Sequence, residues 1–134
     1  MSTTSRRRAH ALALLLLAAP LALACTGAHD VEAREAAAMT GGDPAHGQQV
    51  IRSYGCGSCH VIPGVDGAAG KVGPSLQGIG ARTYLAGKLP NEPANMIKWI
   101  RQPQEVSPGT AMPELGVTEQ DGKDIAAYLY TLQK

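Results

Sequence analysis

The sequence predicts an all-α domain of three main helices joined by long loops. Three segments carry helix grammar, no stretch alternates apolar and polar residues long enough to propose a sheet, and the connections are crowded with glycine and proline. In the first segment Asp43 stands where an N-cap belongs and Pro44 suits the first helical position. Gly47, Val50, Ile51 and Tyr54 then share one face, and Gly55 ends the run. The second segment, "PANMIKWIRQ", opens at Pro93 and stops at Pro103, with Met96, Ile97 and Ile100 inward and Trp99 beside them. The third starts at Thr118, has Asp121 in the place of the capping-box acid, and sets Ile125, Tyr128, Leu129 and Leu132 along one stripe.

Not all of the 134 residues belong to that domain. Residues 1–24 read as an export signal: Arg6, Arg7 and Arg8 are the positive start, Ala11 to Ala19 is the apolar stretch, and Ala22-Leu23-Ala24 is the cleavage signal. A spanning helix would need about 20 apolar residues, and this run is short and ends in small ones. Two fates fit Cys25, which follows directly. It is either the acylated first residue of a lipoprotein or an incidental thiol left by ordinary cleavage. Ala22 stands where lipoprotein signals usually carry leucine, which favours ordinary cleavage; an unpaired exported thiol otherwise needs explaining, which favours the anchor. Residues 25–42, small and charged with no apolar stripe, read as a flexible tether, so the compact domain is expected over 43–134.

Charge narrows the partners. The chain has 12 Lys and Arg against 11 Asp and Glu, and loss of the three signal arginines leaves the remainder at a net −2. No basic run survives, which excludes nucleic acid and a polybasic membrane patch. Membrane contact is left to Cys25 alone. The domain has no Phe, and its aromatic residues are Tyr54, Tyr84, Trp99, Tyr128 and Tyr130. At about 90 residues such a core is marginal, and a bound apolar cofactor would help to fill it. The loops "VIPGVDGAAGKVGPSLQGIGAR" and "QPQEVSPGTAMPELG" are also long for so small a domain unless something holds them.

The chemistry sits in "YGCGSCHVIPG", Tyr54 to Gly64. A thioredoxin-type disulfide would place its Cys-x-x-Cys after a strand in a βαβ setting, and no strand precedes this one. Structural zinc needs four ligands. No His or Cys follows His60, His46 lies too close on the first helix, and Cys25 and His29 fall in the tether. Haem uses all three residues. Cys56 and Cys59, one turn apart, present two thiols to two vinyl groups, and His60 lies against the iron. Export fits as well, since such haem is attached outside the cytoplasm. The sixth ligand is expected to be Met112 in the irregular "GTAMPEL"; Met96, at core spacing within a helix, is expected to be packing.

From Gly42 to Leu132 these motifs together resemble the class I c-type cytochromes, particularly bacterial monohaem ones, and the small cytochrome c domains attached to terminal oxidases. The likeness rests on "GQQVIRSYGCGSCH", "VGPSL", "MIKWIRQP", "GTAMP" and "DIAAYLYTL", in that order. It implies the cytochrome c fold around one covalent haem c. It further implies that the carbonyl of Pro74 orients His60, that Gly47 and Ile51 mark a crossing of the first and last helices, and that Tyr84 and Trp99 donate to the haem propionates. Arg82 is either their counter-charge or a solvated cation. The lysine ring common around the haem edge is not evident; Lys71, Lys88 and Lys98 are scattered, and the glycine-rich loop from Val61 to Lys71 is longer than in the smallest members.

With His60 and Met112 both on iron no position is open to a substrate, and the pair favours a high potential. The expectation is a one-electron carrier, not an enzyme, in the periplasm and either free or lipid-anchored. Its donor and acceptor would be redox proteins such as a terminal oxidase or a dehydrogenase. Two alternatives stay open: a fixed electron-transfer subunit of an oxidase or dehydrogenase complex, and a haem peroxidase or gas sensor if Met112 does not bind iron.

Overall fold

The computed structural model describes residues 20–134, with side chains from residue 27 onward, so the export-signal and lipid-anchor readings lie outside the described residues. Among the described residues five helices follow one another: α1 Pro20–Thr40, α2 Pro44–Ser53, α3 Pro93–Arg101, the single turn α4 Pro103–Val106, and α5 Glu119–Thr131. Short 3-10 turns at Cys56–Ser58 and Ile79–Ala81 interrupt the loops. The only strands among the described residues are β1 Tyr84–Leu85 and β2 Leu89–Pro90, a two-residue antiparallel ribbon with Leu85 opposite Leu89. The all-α class holds. Among the described residues no helix is long and apolar enough to cross a membrane.

Residues 32–134 form a compact unit of their own. It begins earlier than expected, and the reading of 25–42 as a flexible tether is corrected from residue 32 onward. Ala36 and Thr40 are buried at the end of α1, and Ala36 belongs to the core cluster. Alanine needs no broad apolar stripe to pack, because its short side chain lets a helix lie close. Thr40 Oγ1 donates to the Ala36 carbonyl at 2.8 Å and accepts from the Gly42 N–H at 3.1 Å, closing the helix. Gly42 then passes so near α5 that a Cβ there would stand 2.2 Å from the Lys123 carbonyl oxygen.

α2 forms as its residues dictate. The Asp43 carboxylate accepts from the N–H groups of Ala45 at 2.8 Å and His46 at 3.4 Å, Pro44 occupies the first turn, and Gly55 at φ +70° closes the other end. Gly47 and Ile51 face inward. A Cβ on Gly47 would sit 1.9 Å from the Asp124 carbonyl oxygen, so only glycine lets α2 cross α5 at this distance. The crossing implied by the resemblance is present.

α5 is the axis of the domain. One buried stripe was expected, yet every residue from Asp124 to Tyr130 is buried, because α2, α3 and the Ile79–Ala81 turn all pack on it. Thr118 caps it, accepting from the Asp121 N–H at 3.1 Å. The capping box does not close in the usual way. Asp121 instead accepts from the Tyr54 hydroxyl at 2.7 Å, and that hydroxyl accepts from the Thr118 N–H at 3.4 Å. A tyrosine from the end of α2 thus stands between the two halves of the box. α3 buries Met96 and Ile100 as expected, and Pro103 both ends it and opens α4.

Polar side chains hold the long loops. Asn91 Nδ2 donates to the carbonyls of Ile79 and Arg82, each at 2.8 Å, while its Oδ1 accepts from Tyr130 at 2.9 Å. Burial, and less so the charge of Glu92, push the Tyr130 phenol up to about 12, which keeps that donor protonated. The loop after His60 folds onto Ile62, Val65 and Ala68 and is tied down by Tyr128 Oη to the Pro63 carbonyl, 2.6 Å, and Gln48 Nε2 to the Gly64 carbonyl, 2.6 Å.

Asp124 is the charged centre of the crossing. It is 3% exposed, accepts from the Asp43 N–H at 2.8 Å and Gln120 at 2.9 Å, and pairs with His46 Nδ1 at 2.7 Å. Burial alone would raise its carboxyl, but those bonds outweigh it and the net shift is downward; the bond to Asp124 raises His46. The raised imidazole stabilises the fold fully below its ordinary value of 6.5 and loses that contribution as pH rises through its folded pKa. The lowered carboxyl contributes above its ordinary 3.8 and loses it as pH falls through its own folded pKa. The urea midpoint is therefore expected to be highest between these values and to decline above pH 6.5, and His46→Gln should flatten that alkaline limb.

Candidate haem-binding cleft

The end of α2 leads straight into the chemistry. Past the left-handed Gly55, Cys56–Ser58 winds a tight turn, with Cys59 N and His60 N bonded to the Cys56 carbonyl at 3.2 and 3.0 Å. Two free thiols and an imidazole are thereby presented within one turn. Burial, and secondarily Cys59, push the Cys56 thiol up, which keeps it neutral at physiological pH.

His60 Nδ1 lies 2.7 Å from the Pro74 carbonyl oxygen. A carbonyl only accepts, so Nδ1 carries the proton and Nε2 keeps its lone pair for a metal. The Pro74 segment is laid alongside by Gly73 N to the Cys59 carbonyl, 2.8 Å, and Leu76 N to the Val61 carbonyl, 2.8 Å. Gly73, unassigned from sequence, packs flat on the imidazole: a Cβ there would be 2.3 Å from Cε1. Its signal was the "GP" dipeptide, whose backbone needs no explanation until the ring beside it is seen.

Cys56, Cys59, His60, Met112, Pro74, Arg82, Tyr84 and Trp99 all line one cleft of about 510 Å³. Its walls are aliphatic, with Ile62, Leu76, Ile79, Leu85, Ile100, Ile125 and Leu129 facing it from the core. Met96, which also lines it, is 1% exposed and belongs to that core, as expected. The fit to a flat apolar macrocycle is good: the volume suits a bound cofactor, the thiols and imidazole are adjacent, and a soft thioether shares the space.

Arg82 lines the cleft, and its Nη2 donates to the carbonyls of Ser75 at 2.5 Å and Gln77 at 3.1 Å, so the guanidinium also braces the segment after Pro74. Gln104 was also missed. From α4 it bonds three residues of the Met112 loop, and a lone glutamine after a proline carries no signal for that.

The family model described as Cytochrome c matches residues 44–133. The chain belongs to the cytochrome c family. It is 36% identical over 88 residues to "Cytochrome c oxidase subunit 2" of Alkalihalophilus pseudofirmus, covering 65% of this chain and 25% of that protein. The protein of the same name from Bacillus subtilis is 28% identical over 86 residues, 63% of this chain and 24% of the relative. The chain therefore spans about a quarter of the length of these relatives. "Cytochrome c2" of Rhodopila globiformis is 34% identical over 106 residues, 69% of this chain and 95% of that protein. No solved structure matches at comparable significance. Membership of the family implies that this domain binds haem c.

Because Gly73 has no room for a Cβ, Gly73→Ala is expected to push His60 off its bond to Pro74. The ferric holoprotein should shift from low spin toward high spin in its absorption spectrum, and stability should fall by about 1–3 kcal/mol in urea titration.

Proposed function

We propose that this cytochrome c domain is a one-electron carrier in which Cys56 and Cys59 would hold a single haem covalently and His60 and Met112 would bind its iron. The shared cleft carries the reading: two thiols, an imidazole whose Nε2 is left bare by the Nδ1 bond to Pro74, and a thioether line one apolar cavity. Bound there, the haem supplies reversible one-electron chemistry at iron. The chain does the rest. The Pro74 carbonyl fixes the tautomer and orientation of His60 and strengthens it as a donor. The Met112 sulfur favours the reduced state, and the aliphatic walls exclude water. Tyr84 and Trp99 line the cleft as donors for the propionates, and exposed Val72 and Leu115 stand among its lining residues.

Two ligands on iron leave no position for peroxide or a gas, and the described lining residues include no histidine besides His60 to act as a distal acid or base. Both points favour a carrier over a peroxidase or sensor. Redox proteins are the partners, and the relatives named as oxidase subunits support an oxidase among them. Those relatives also favour a second reading, a fixed relay in a complex, since the matching region there is part of a longer chain. Stable co-purification with other subunits separates that relay from a free shuttle.

Met112→Ala is expected to abolish the weak red-end absorption band of sulfur-bound ferric iron and to lower the reduction potential. Met96→Ala should keep the band while costing about 2–5 kcal/mol of stability. A band that survives Met112→Ala would end the ligand assignment.

We further propose that the domain works outside the cytoplasm, either released after ordinary cleavage or held there through a lipid on Cys25. Intact mass spectrometry of membrane-extracted protein is expected to show a chain beginning at Cys25 with acyl additions. An unmodified N-terminus would remove the anchor and leave a released periplasmic protein.

A further inference from the structure

We infer that Gln104 is the positioning residue that holds Met112 against the iron, an assignment that rests on Met112 being the ligand. α4 is a single turn, but its base is firm. Pro103 is almost completely buried, and Ser107 N bonds the Pro103 carbonyl at 2.9 Å. From this base the Gln104 amide uses both ends. Nε2 donates to the Thr110 carbonyl at 2.9 Å and the Met112 carbonyl at 3.0 Å, and Oε1 accepts from the Gly109 N–H at 3.0 Å.

Three residues of an irregular loop are thereby fixed by one planar group. Among the described residues the loop's other hydrogen bonds are local: Thr110 N to the Ser107 carbonyl at 3.0 Å and Met112 N to Thr110 Oγ1 at 3.4 Å. Neither ties the loop to a helix. The same segment lines the cleft through Ser107, Thr110, Ala111, Met112 and Pro113.

A ligand on a loop binds with an apparent strength set by the fraction of time the loop is in place. Gln104 raises that fraction for Met112. Its loss should free the sulfur from the iron more often without unfolding the domain, because α2, α3 and α5 make their core contacts elsewhere.

The test uses ferric holoprotein carrying Gln104→Ala or Gln104→Glu, with Gln102→Ala as control. Gln102 bonds only Glu105, at 2.9 Å, among side chains. Imidazole, which competes with the sulfur for iron, is titrated, and the red-end band, the reduction potential and thermal unfolding are recorded. Gln104→Ala is expected to weaken the band and tighten imidazole binding by about tenfold, the size expected for losing hydrogen bonds of this kind. Gln104→Glu keeps the acceptor for Gly109 but turns a carboxylate on two carbonyl oxygens, so its effect should be at least as large. Gln102→Ala should change nothing. Unchanged imidazole affinity, band and potential in both Gln104 variants would overturn the proposal. Absence of the band from the unsubstituted protein, or its survival in Met112→Ala, would instead overturn the ligand reading and the positioning role with it.

Discussion

Everything in the domain depends on how closely α2 lies against α5. Gly47 brings the two backbones to a separation that no side chain would permit. The contact is secured at both ends of α2: the Asp43 N–H bonds Asp124, and the Tyr54 hydroxyl bonds Asp121 and Thr118. Because the Cys56–Ser58 turn follows α2 with only Tyr54 and Gly55 between, clamping the helix also places the two thiols and His60. A buried carboxylate is tolerated at the crossing because the Asp43 N–H, Gln120 and His46 all bond it; without them, desolvation would raise its pKa.

The long loops raise a different problem. They contain few regular backbone bonds, and ordering them costs entropy. Part of the compensation is apolar, as Ile62, Val65 and Ala68 bury the loop after His60. The rest is a set of side-chain amides and phenols that reach across to loop carbonyls: Asn91, Gln48, Tyr128 and Gln104. Each satisfies main-chain groups that no helix or strand could satisfy in place. A cofactor filling the cleft would add to this support, but the loops already have scaffolding of their own.

The cleft combines a hard constraint with a soft one. His60 is held from both sides, by the Pro74 carbonyl at its edge and Gly73 against its ring, and both belong to a segment bonded to the Cys59 and Val61 carbonyls. Met112 rides on a loop tied through one glutamine. The cleft thus sets a firmly held histidine beside a methionine whose loop is more lightly tied.

The sequence by itself determined the all-α class, the N-cap of α2, the inward faces of α2 and α3, the grouping of Cys56, Cys59 and His60 within one turn, and the place of Met96 in the core. These are local patterns: a periodicity, a cap, a spacing of ligands that needs one turn of chain. Only the tertiary structure decided that residues 32–42 pack on the domain, that α5 is buried all round, that Tyr54 takes over the capping box of α5, that Arg82 braces a loop and that Gly73 and Gln104 shape the site. Each of these depends on which group lies across the fold. Ala36, Gly73 and Gln104 are ordinary residues in sequence, and their roles come from a core cluster, an imidazole ring and three loop residues that only folding brings beside them.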